Sequence, residues 1–346
     1  MPALLDTLVG ARAPVPVAVW HAFWESLEAG TLERAEAAAV LASLSTRLPG
    51  EQSLHSLLRS LAERDPVAHW PQYPGAVNIV GTGGGPQTFN ISTAAAFVAA
   101  AIGVRVVKTG SRSYRSRNGS VDLLNRLGVR LTSSAEETAR TLDRFGIAFA
   151  GPFVYPPELS RLARLIHPLP MRVLGSFANA LGPLLPRVRV DTQLTGVADH
   201  TMVPLLRGLA RHRPGRLWLC VNEHGADELL AAGENTLHPP DGGLPRRLRT
   251  GAFGLSGPLA ELRPEPDHDR IVPHFLGILA GRGGPGATRT VCLNAAALAV
   301  LGGTMRDWPP AMAAAYEAMA DGSALALVER LAAGARRSPA GVNARG

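Results

Sequence analysis

The sequence predicts an α/β protein in which a small N-terminal helical domain precedes a large α/β domain with a mainly parallel central sheet. Residues 1–64 show only helical spacing of apolar residues, strands alternate with helices from Val77 onward, and a glycine-rich turn follows the first strand. Such alternation implies right-handed crossovers between parallel strands. We expect a helical domain over residues 1–72, rejoined by a return segment near 168–188, an α/β domain over 76–335 and a tail over 336–346.

The N-terminal region is predicted to be helical because no strand pattern interrupts it. Apolar residues recur at helical spacing over Val17–Ala29, and Gly30 supplies a stop signal. Further helices are expected over Thr31–Leu48 and Ser53–Ala62. The segment Asp65–Pro74 contains several prolines and is predicted to be a linker.

The later elements follow from the same periodicities. Strands are predicted at Val77–Val80, Val104–Lys108, Val129–Leu131, Ile147–Ala150, Arg216–Asn222 and Thr288–Cys292. Helices are predicted at Ser92–Ile102, Ser120–Leu127, 134–145 with a Ser134–Glu137 capping box, Asn294–Leu301 and Ala311–Ala332. The proline- and glycine-rich stretch Pro239–Pro266 is predicted to be a long connection. Because ligands bind beyond the carboxyl ends of parallel strands, the loops there should surround one crevice.

The composition narrows the classes of partner. With 35 Lys and Arg against 28 Asp and Glu, the chain of 346 residues carries a net charge of +7, which suits anionic ligands. Only 5% of residues are aromatic, and no basic tract is interleaved with aromatics, so nucleic-acid binding is not expected. The two cysteines, Cys220 and Cys292, are far apart, and each lies in an apolar run. They are predicted to be buried residues of a protein in a reducing compartment rather than a disulfide framework. The longest apolar run, Ala94–Val104, is too short to span a bilayer, and Met1–Gly10 lacks a signal-peptide pattern, so we expect a cytoplasmic protein without a membrane partner.

The glycine-rich turn is the first chemistry-bearing segment. It reads Gly81-Thr82-Gly83-Gly84-Gly85, and Thr88, Asn90, Ser92 and Thr93 follow at the start of a helix. Glycines allow close backbone approach, and a helix start offers unpaired N–H donors, so together they predict a seat for phosphate or pyrophosphate. No Gly-Lys-Ser/Thr follows, and residue 86 is proline, which excludes the Walker A and dinucleotide patterns. A tight strand-to-helix connection remains the alternative interpretation.

Two further segments complete the predicted site. Lys108–Ser120 combines four basic residues with seven hydroxyl or amide side chains and no acid, which suggests a clamp for a polyanion rather than only a solvated basic loop. Asp227 and Glu228 follow the strand Arg216–Asn222, and paired carboxylates beside a phosphate clamp suit Mg²⁺. Acidic residues in a first helical turn are the alternative interpretation of that pair.

In this order the motifs resemble those of the anthranilate phosphoribosyltransferase family. Asn179–Leu184, Gly233–Thr236 and Leu293–Ala296 fall in the expected order as well. The resemblance implies a magnesium-dependent transferase and homodimer, with 5-phosphoribosyl-1-diphosphate (PRPP) as donor and a small-molecule acceptor. It assigns PRPP binding to Gly81, Thr82, Gly84, Gly85, Thr88, Asn90, Ser92, Thr93, Lys108, Gly110, Arg112, Ser116 and Ser120. It assigns the metal to Ser92, Asp227 and Glu228.

The chain departs from the family pattern mainly on the acceptor side. Thr109 and Ser111 replace a histidine and an asparagine, Gly85 replaces an aspartate, and Leu169 stands where the family has a carboxylate-binding arginine. We therefore expect an acceptor amine or hydroxyl other than anthranilate, such as an amino sugar of secondary metabolism. The acceptor-binding candidates are Thr109, Ser111, Tyr114, His167 and Arg172.

Three alternatives stay open at this point. They are an authentic anthranilate phosphoribosyltransferase of tryptophan biosynthesis, a nucleoside phosphorylase of related architecture, and an inactive PRPP-binding protein. Zinc chemistry and serine hydrolysis are not supported, because the chain contains no His-x-x-x-His pair and no Gly-x-Ser-x-Gly elbow.

Overall fold

The computed structural model describes residues 2–10, 13–110, 119–169, 174–175, 177–249, 251 and 256–337. Within them, one seven-stranded sheet has the order β3-β2-β1-β4-β5-β6-β7. The strands are β1 Gln72–Gly81, β2 Arg105–Lys108, β3 Ile147–Phe149, β4 Arg189–Gly196, β5 Arg216–Asn222, β6 Glu234–His238 and β7 Arg246–Arg249. The first five strands are parallel to one another, β6 is antiparallel to β5, and β7 is antiparallel to β6. The predicted α/β class with a mainly parallel sheet is confirmed.

Helices cover both faces of this sheet. Those of the first half are α1 Pro2–Gly10, α2 Val17–Ala29, α3 Arg34–Thr46, α4 Glu51–Arg64, α5 Ile91–Ala101, α6 Ser120–Arg126, α7 Ala135–Phe145 and α8 Pro157–Ile166. Those of the second half are α9 Phe177–Leu181, α10 Val203–Ala210, α11 Ile271–Gly277, α12 Pro285–Gly302, α13 Trp308–Ala320 and α14 Ser323–Arg337. In the described part of the chain, none is long and apolar enough to cross a membrane.

Strand β5 separates two apolar cores. Its alternate side chains point to opposite faces, as the pleat of a strand requires. Leu217 and Leu219 join a cluster formed mainly by the N-terminal helices together with α8, α9 and α10. Trp218 and Cys220 join the second cluster, which contains α5, α12 and most of the sheet interior. The helical unit therefore packs directly on one face of the sheet.

Several predicted elements are wrong. Thr288–Cys292 is not a strand but part of α12. This helix is buried on nearly all sides, so the apolar residues of the short segment do not recur with the spacing of a helix that has one exposed face. Val129–Leu131 forms no strand, and only an isolated bridge joins Thr132 to Ala150. The single helix predicted at Ala311–Ala332 is two helices, because Gly322 between them adopts φ +80°.

Three strands were not predicted, and one predicted capping box is only partly formed. Strands β4 and β6 were not predicted, and β7 interrupts the connection assigned to Pro239–Pro266. The capping contact at Ser134 is present, since its hydroxyl accepts a hydrogen bond from Glu137 N. The Glu137 carboxylate, however, accepts from Ser133 N rather than from Ser134 N.

The topology brings four strand ends to one edge of the sheet. Strands β1, β2, β4 and β5 are parallel and adjacent, so their carboxyl ends share that edge. These ends are Gly81, Lys108, Gly196 and Asn222. The crevice expected outside the carboxyl ends therefore lies beside the glycine turn.

Candidate active site

A cavity of about 1460 Å³ opens at this edge of the sheet. Its wall collects the glycine turn, the end of β2, the acidic pair after β5, and helices α8 and α9. Thirteen predicted site residues line it, namely Gly81, Thr82, Gly84, Gly85, Thr88, Asn90, Ser92, Lys108, Thr109, Gly110, Ser120, Asp227 and Glu228. The glycine turn, the acidic pair and the two described ends of the Lys108–Ser120 segment are thus brought together.

The glycine turn lies in direct contact with Asp227. A Cβ at position 81 would lie 1.9 Å from Asp227 Oδ2, and one at Gly196 would lie 1.7 Å from the Asp227 carbonyl oxygen. The amide of Gly83 donates a hydrogen bond of 2.7 Å to Asp227 Oδ2. The absence of side chains at positions 81 and 196 therefore allows the carboxylate to reach the turn.

Gly85 makes a second close approach to the same loop. A Cβ at this position would lie 2.3 Å from the carbonyl oxygen of Gly225 and 3.1 Å from Ala198 Cβ. The turn is fixed on its other side by Thr82, whose hydroxyl accepts a hydrogen bond of 3.2 Å from Ala198 N. The family's aspartate would therefore not fit at position 85 unless the loop around Gly225 moved.

Three asparagines hold the acidic loop in place. Asn222 Nδ2 donates to the carbonyl oxygens of Ala226 and Glu228, both at 2.8 Å. Asn294 accepts from Leu229 N, and Asn235 accepts from Leu230 N. Backbone groups on both sides of the carboxylates are thereby anchored to β5, β6 and α12, which restricts the orientation of the acidic pair.

Glu228 is a buried carboxylate that the protein leaves partly unpaired. Its Oε1 accepts a hydrogen bond of 3.3 Å from the Thr88 hydroxyl, whereas the buried Oε2 has no partner among the described residues. Burial and the neighbouring Asp227 carboxylate raise the pKa of Glu228 well above its usual range. Burial also raises the pKa of Asp227. Two desolvated carboxylates with an unsatisfied oxygen fit a hard divalent cation.

The acidic pair cannot enclose a metal alone. In the described ranges, no group of three or more His, Cys, Asp or Glu is placed to hold a metal ion. Mg²⁺ is commonly bound by one or two carboxylates and completed by water and substrate phosphates. The donor set fits that pattern, with Ser92 as a further oxygen on the cavity wall.

Lys108 is a buried cation near both carboxylates. Its Nζ donates a hydrogen bond of 2.9 Å to the carbonyl oxygen of Ile79, and its side chain is buried. Burial lowers the pKa of Lys108 to about 8, while Glu228 and Asp227 act in the opposite direction. At neutral pH it therefore remains a cation in the wall of the cavity.

Helix α5 begins at the cavity, but not all its predicted ligands face it. Asn90 and Ser92 line the wall, where an N-terminal helix turn favours an anion. Thr93 is fully buried and not part of the lining, and its hydroxyl has no hydrogen-bond partner in the described structure. Its assignment to PRPP is therefore corrected, because residue 93 lies on the inner side of the first turn.

Two of the five acceptor candidates, Thr109 and His167, lie within the described residues. Ser111, Tyr114 and Arg172 lie outside the described residues, as do Arg112 and Ser116, which were predicted to bind PRPP. His167 ends α8 in an exposed position and does not line the cavity, which corrects its assignment.

Thr109 lines the cavity, but its side chain is fully buried. Its hydroxyl accepts a hydrogen bond of 2.8 Å from Asn78 Nδ2, and its amide donates one of 3.0 Å to Asn78 Oδ1. These contacts fix the end of β2 instead of offering a hydroxyl to an acceptor.

Comparison with known proteins agrees with this geometry. Residues 73–325 match the model of the glycosyl transferase family, a/b domain. The anthranilate phosphoribosyltransferase of Bacillus licheniformis is 30% identical over 339 residues, covering 96% of this chain and 97% of that protein. The corresponding enzyme of Vibrio campbellii is 36% identical over 281 residues, covering 79% and 80%.

Solved structures show the same fold. The anthranilate phosphoribosyltransferase of Thermus thermophilus is 29% identical and superposes with a TM-score of 0.79, covering 97% of this chain and all of that one. The enzyme of Saccharomyces cerevisiae, solved with PRPP and Mg, is 19% identical with a TM-score of 0.78 and covers 97% of each chain.

Proposed function

The chain belongs to the anthranilate phosphoribosyltransferase family, and from this membership we propose that it transfers 5-phosphoribose from PRPP to the amino group of anthranilate. As a member, it is a PRPP-dependent glycosyltransferase-type enzyme. The observation that carries the proposal is the meeting of the glycine turn, Lys108 and the Asp227–Glu228 pair in one cavity.

The donor end of the cavity would bind and neutralise pyrophosphate. The backbone of the glycine turn and the first turn of α5 offer N–H donors, and Lys108 supplies a fixed positive charge. Asp227, Glu228 and Ser92 would hold Mg²⁺, which when bound stabilises the charge that develops on the leaving pyrophosphate. The yeast structure with PRPP and Mg supports this use of the donor end. Positioning and charge neutralisation then promote cleavage of the C1–oxygen bond without a covalent nucleophile.

The comparisons support anthranilate better than the different acceptor that the sequence departures favoured. Relatives named anthranilate phosphoribosyltransferase align over most of this chain. One observation favours a second candidate, an amine or hydroxyl acceptor without a carboxylate. The described residues of α8 and α9 that line the cavity include Ser160, Ala163 and Asn179, and none of those that these two helices contribute is an arginine or lysine. Arg130 lines the cavity outside these two helices.

An assay with matched acceptors tests the proposal. Purified enzyme with PRPP and Mg²⁺ should release one pyrophosphate per anthranilate consumed, and chelation should stop the reaction. Aniline lacks the carboxylate, and an amino sugar represents the second candidate. Preference for anthranilate over both supports the main proposal, whereas turnover only with the amino sugar supports the second. Phosphate-dependent nucleoside cleavage without PRPP, or PRPP binding without turnover of any acceptor, would contradict both.

The resemblance also implies a homodimer formed through the helical domain, which we propose for this chain. Light scattering coupled to size-exclusion chromatography should give twice the chain mass of 36.4 kDa. A monomeric mass at the concentration used in the assay would contradict this proposal.

A further inference from the structure

A second cavity of about 230 Å³ lies outside the predicted catalytic crevice. It is enclosed by α4, the residues that follow α10, Trp70 before β1, and the segment around Leu184. Leu185 lines both this cavity and the crevice, so the two are neighbours at that point. The volume exceeds the roughly 150 Å³ of an apolar cavity that holds benzene.

Arg213 gives this cavity an unbalanced positive charge. Its guanidinium donates hydrogen bonds to the carbonyl oxygens of Leu184 and Pro186, and in the described part of the chain no carboxylate pairs with it. Arg187 on the same wall differs, because Asp65 and Glu158 lie 3.3 Å and 3.5 Å from its terminal nitrogens. A desolvated guanidinium with N–H groups to spare favours an anion beside it.

The rest of the wall favours a ligand in which the anionic group is attached to a flat, apolar ring. Trp70 lies with its ring centroid 5.8 Å from Arg213 Cζ, and leucine side chains cover much of the surface. His55 and His212 line the wall, with ring centroids 3.9 Å apart, and add N–H donors. A strongly hydrated dianion would lose too much solvation against such a wall, whereas one carboxylate would not.

We propose that this cavity is a binding site for small aromatic monocarboxylates, separate from the site of phosphoribosyl transfer. The carboxylate would pair with Arg213, and the ring would pack against Trp70 and the leucines. The proposal does not depend on which acceptor the enzyme uses.

Calorimetric titration of the full chain with benzoate, in the absence of PRPP, tests the proposal. Benzoate should bind, whereas benzyl alcohol and inorganic phosphate should bind at least about tenfold more weakly. Arg213→Gln should weaken benzoate binding about tenfold or more. Arg211→Gln changes an exposed arginine that is not part of the wall and should leave binding unchanged.

Two further variants keep the test decisive if Arg213→Gln does not fold. Ala62→Phe should fill the cavity and abolish benzoate binding. Asn179→Ala alters the crevice and should leave benzoate binding intact. The proposal is overturned if benzoate does not bind, if Ala62→Phe binds it normally, if Asn179→Ala abolishes binding, or if phosphate binds as tightly as benzoate.

Discussion

The carboxylate of Asp227 lies against the Cα of Gly81, so close that a Cβ there would be 1.9 Å from Oδ2. The same oxygen accepts a 2.7 Å hydrogen bond from Gly83 N. The glycine turn and the acidic loop are therefore one structural unit, although their residues are far apart in the sequence. A change in either segment should disturb the other.

Gly81→Ala should impair donor use through this contact. The methyl group would displace the Asp227 carboxylate and break its bond to Gly83 N, and a displacement of about 1 Å in such a site costs roughly 100-fold in rate. We expect kcat/KM for PRPP to fall by about that factor. Gly277→Ala is the control, because position 277 is helical with nothing within 4 Å of the added methyl, and it should keep full activity. Normal kinetics of Gly81→Ala would contradict the proposed role of the contact.

Glu228→Gln should separate activity from stability. The substitution removes a charge that the proposed metal site needs, and we expect kcat/KM to fall about 100-fold at every Mg²⁺ concentration. It also removes the cost of burying that charge, so the melting temperature without ligands should not fall. Glu223→Gln alters an exposed carboxylate on the same loop and should retain activity. A large loss of melting temperature in Glu228→Gln would instead indicate a structural role.

The sequence predicted the parts of the site that depend on local pattern. The turn at Gly81–Gly85 continues from the end of β1, and Asp227–Glu228 lie in the loop after β5. Because the carboxyl ends of adjacent parallel strands share one edge of the sheet, these two segments were expected to meet. The asparagine contacts could not be predicted this way. Leu229 N and Asn294 are 65 residues apart, and only tertiary packing of α12 makes them neighbours.

The failure to predict β4 also has a physical cause. Strand β4 lies between β1 and β5, yet it carries Thr192, Gln193 and Thr195 where a buried strand usually carries apolar residues. Gln193 bonds to Asn78, to Thr195 and to the carbonyl oxygen of Pro183, so its polar groups are satisfied inside the protein. Hydrophobic periodicity cannot detect such a strand, because its burial depends on partners from other segments.

As the pH rises, loss of the proton from Lys108 should lower the activity but raise the stability of the folded protein. Its pKa is about 8 in the folded protein against an ordinary value of 10.5, so the folded state binds fewer protons than the unfolded chain between these values. Stability from this group is therefore lowest below pH 8 and rises as the pH increases to about 10.5. The cation that we propose to face pyrophosphate is lost over the same range, and kcat/KM for PRPP should fall above about pH 8 by up to tenfold per pH unit.

Lys108→Met provides the comparison for both effects. The variant should have low activity at every pH. Its melting temperature should lack the contribution that rises between pH 8 and 10.5, which we expect in the unliganded parent. Melting curves and initial rates across this range measure the two effects. An identical pH dependence of stability in parent and variant would show that Lys108 does not titrate as expected.

Gly85→Asp should not restore a better donor site, although it restores the family's residue. A Cβ at position 85 would lie 2.3 Å from the Gly225 carbonyl oxygen, two residues before Asp227, so the added side chain must push the acidic loop aside. We expect KM for PRPP to rise about tenfold or more, because the loop that carries both carboxylates is displaced. Gly85→Ala introduces the clash without a charge and should show most of the same loss. If Gly85→Asp were faster than the parent while Gly85→Ala were slower, the carboxylate itself would be beneficial and the steric argument would be wrong.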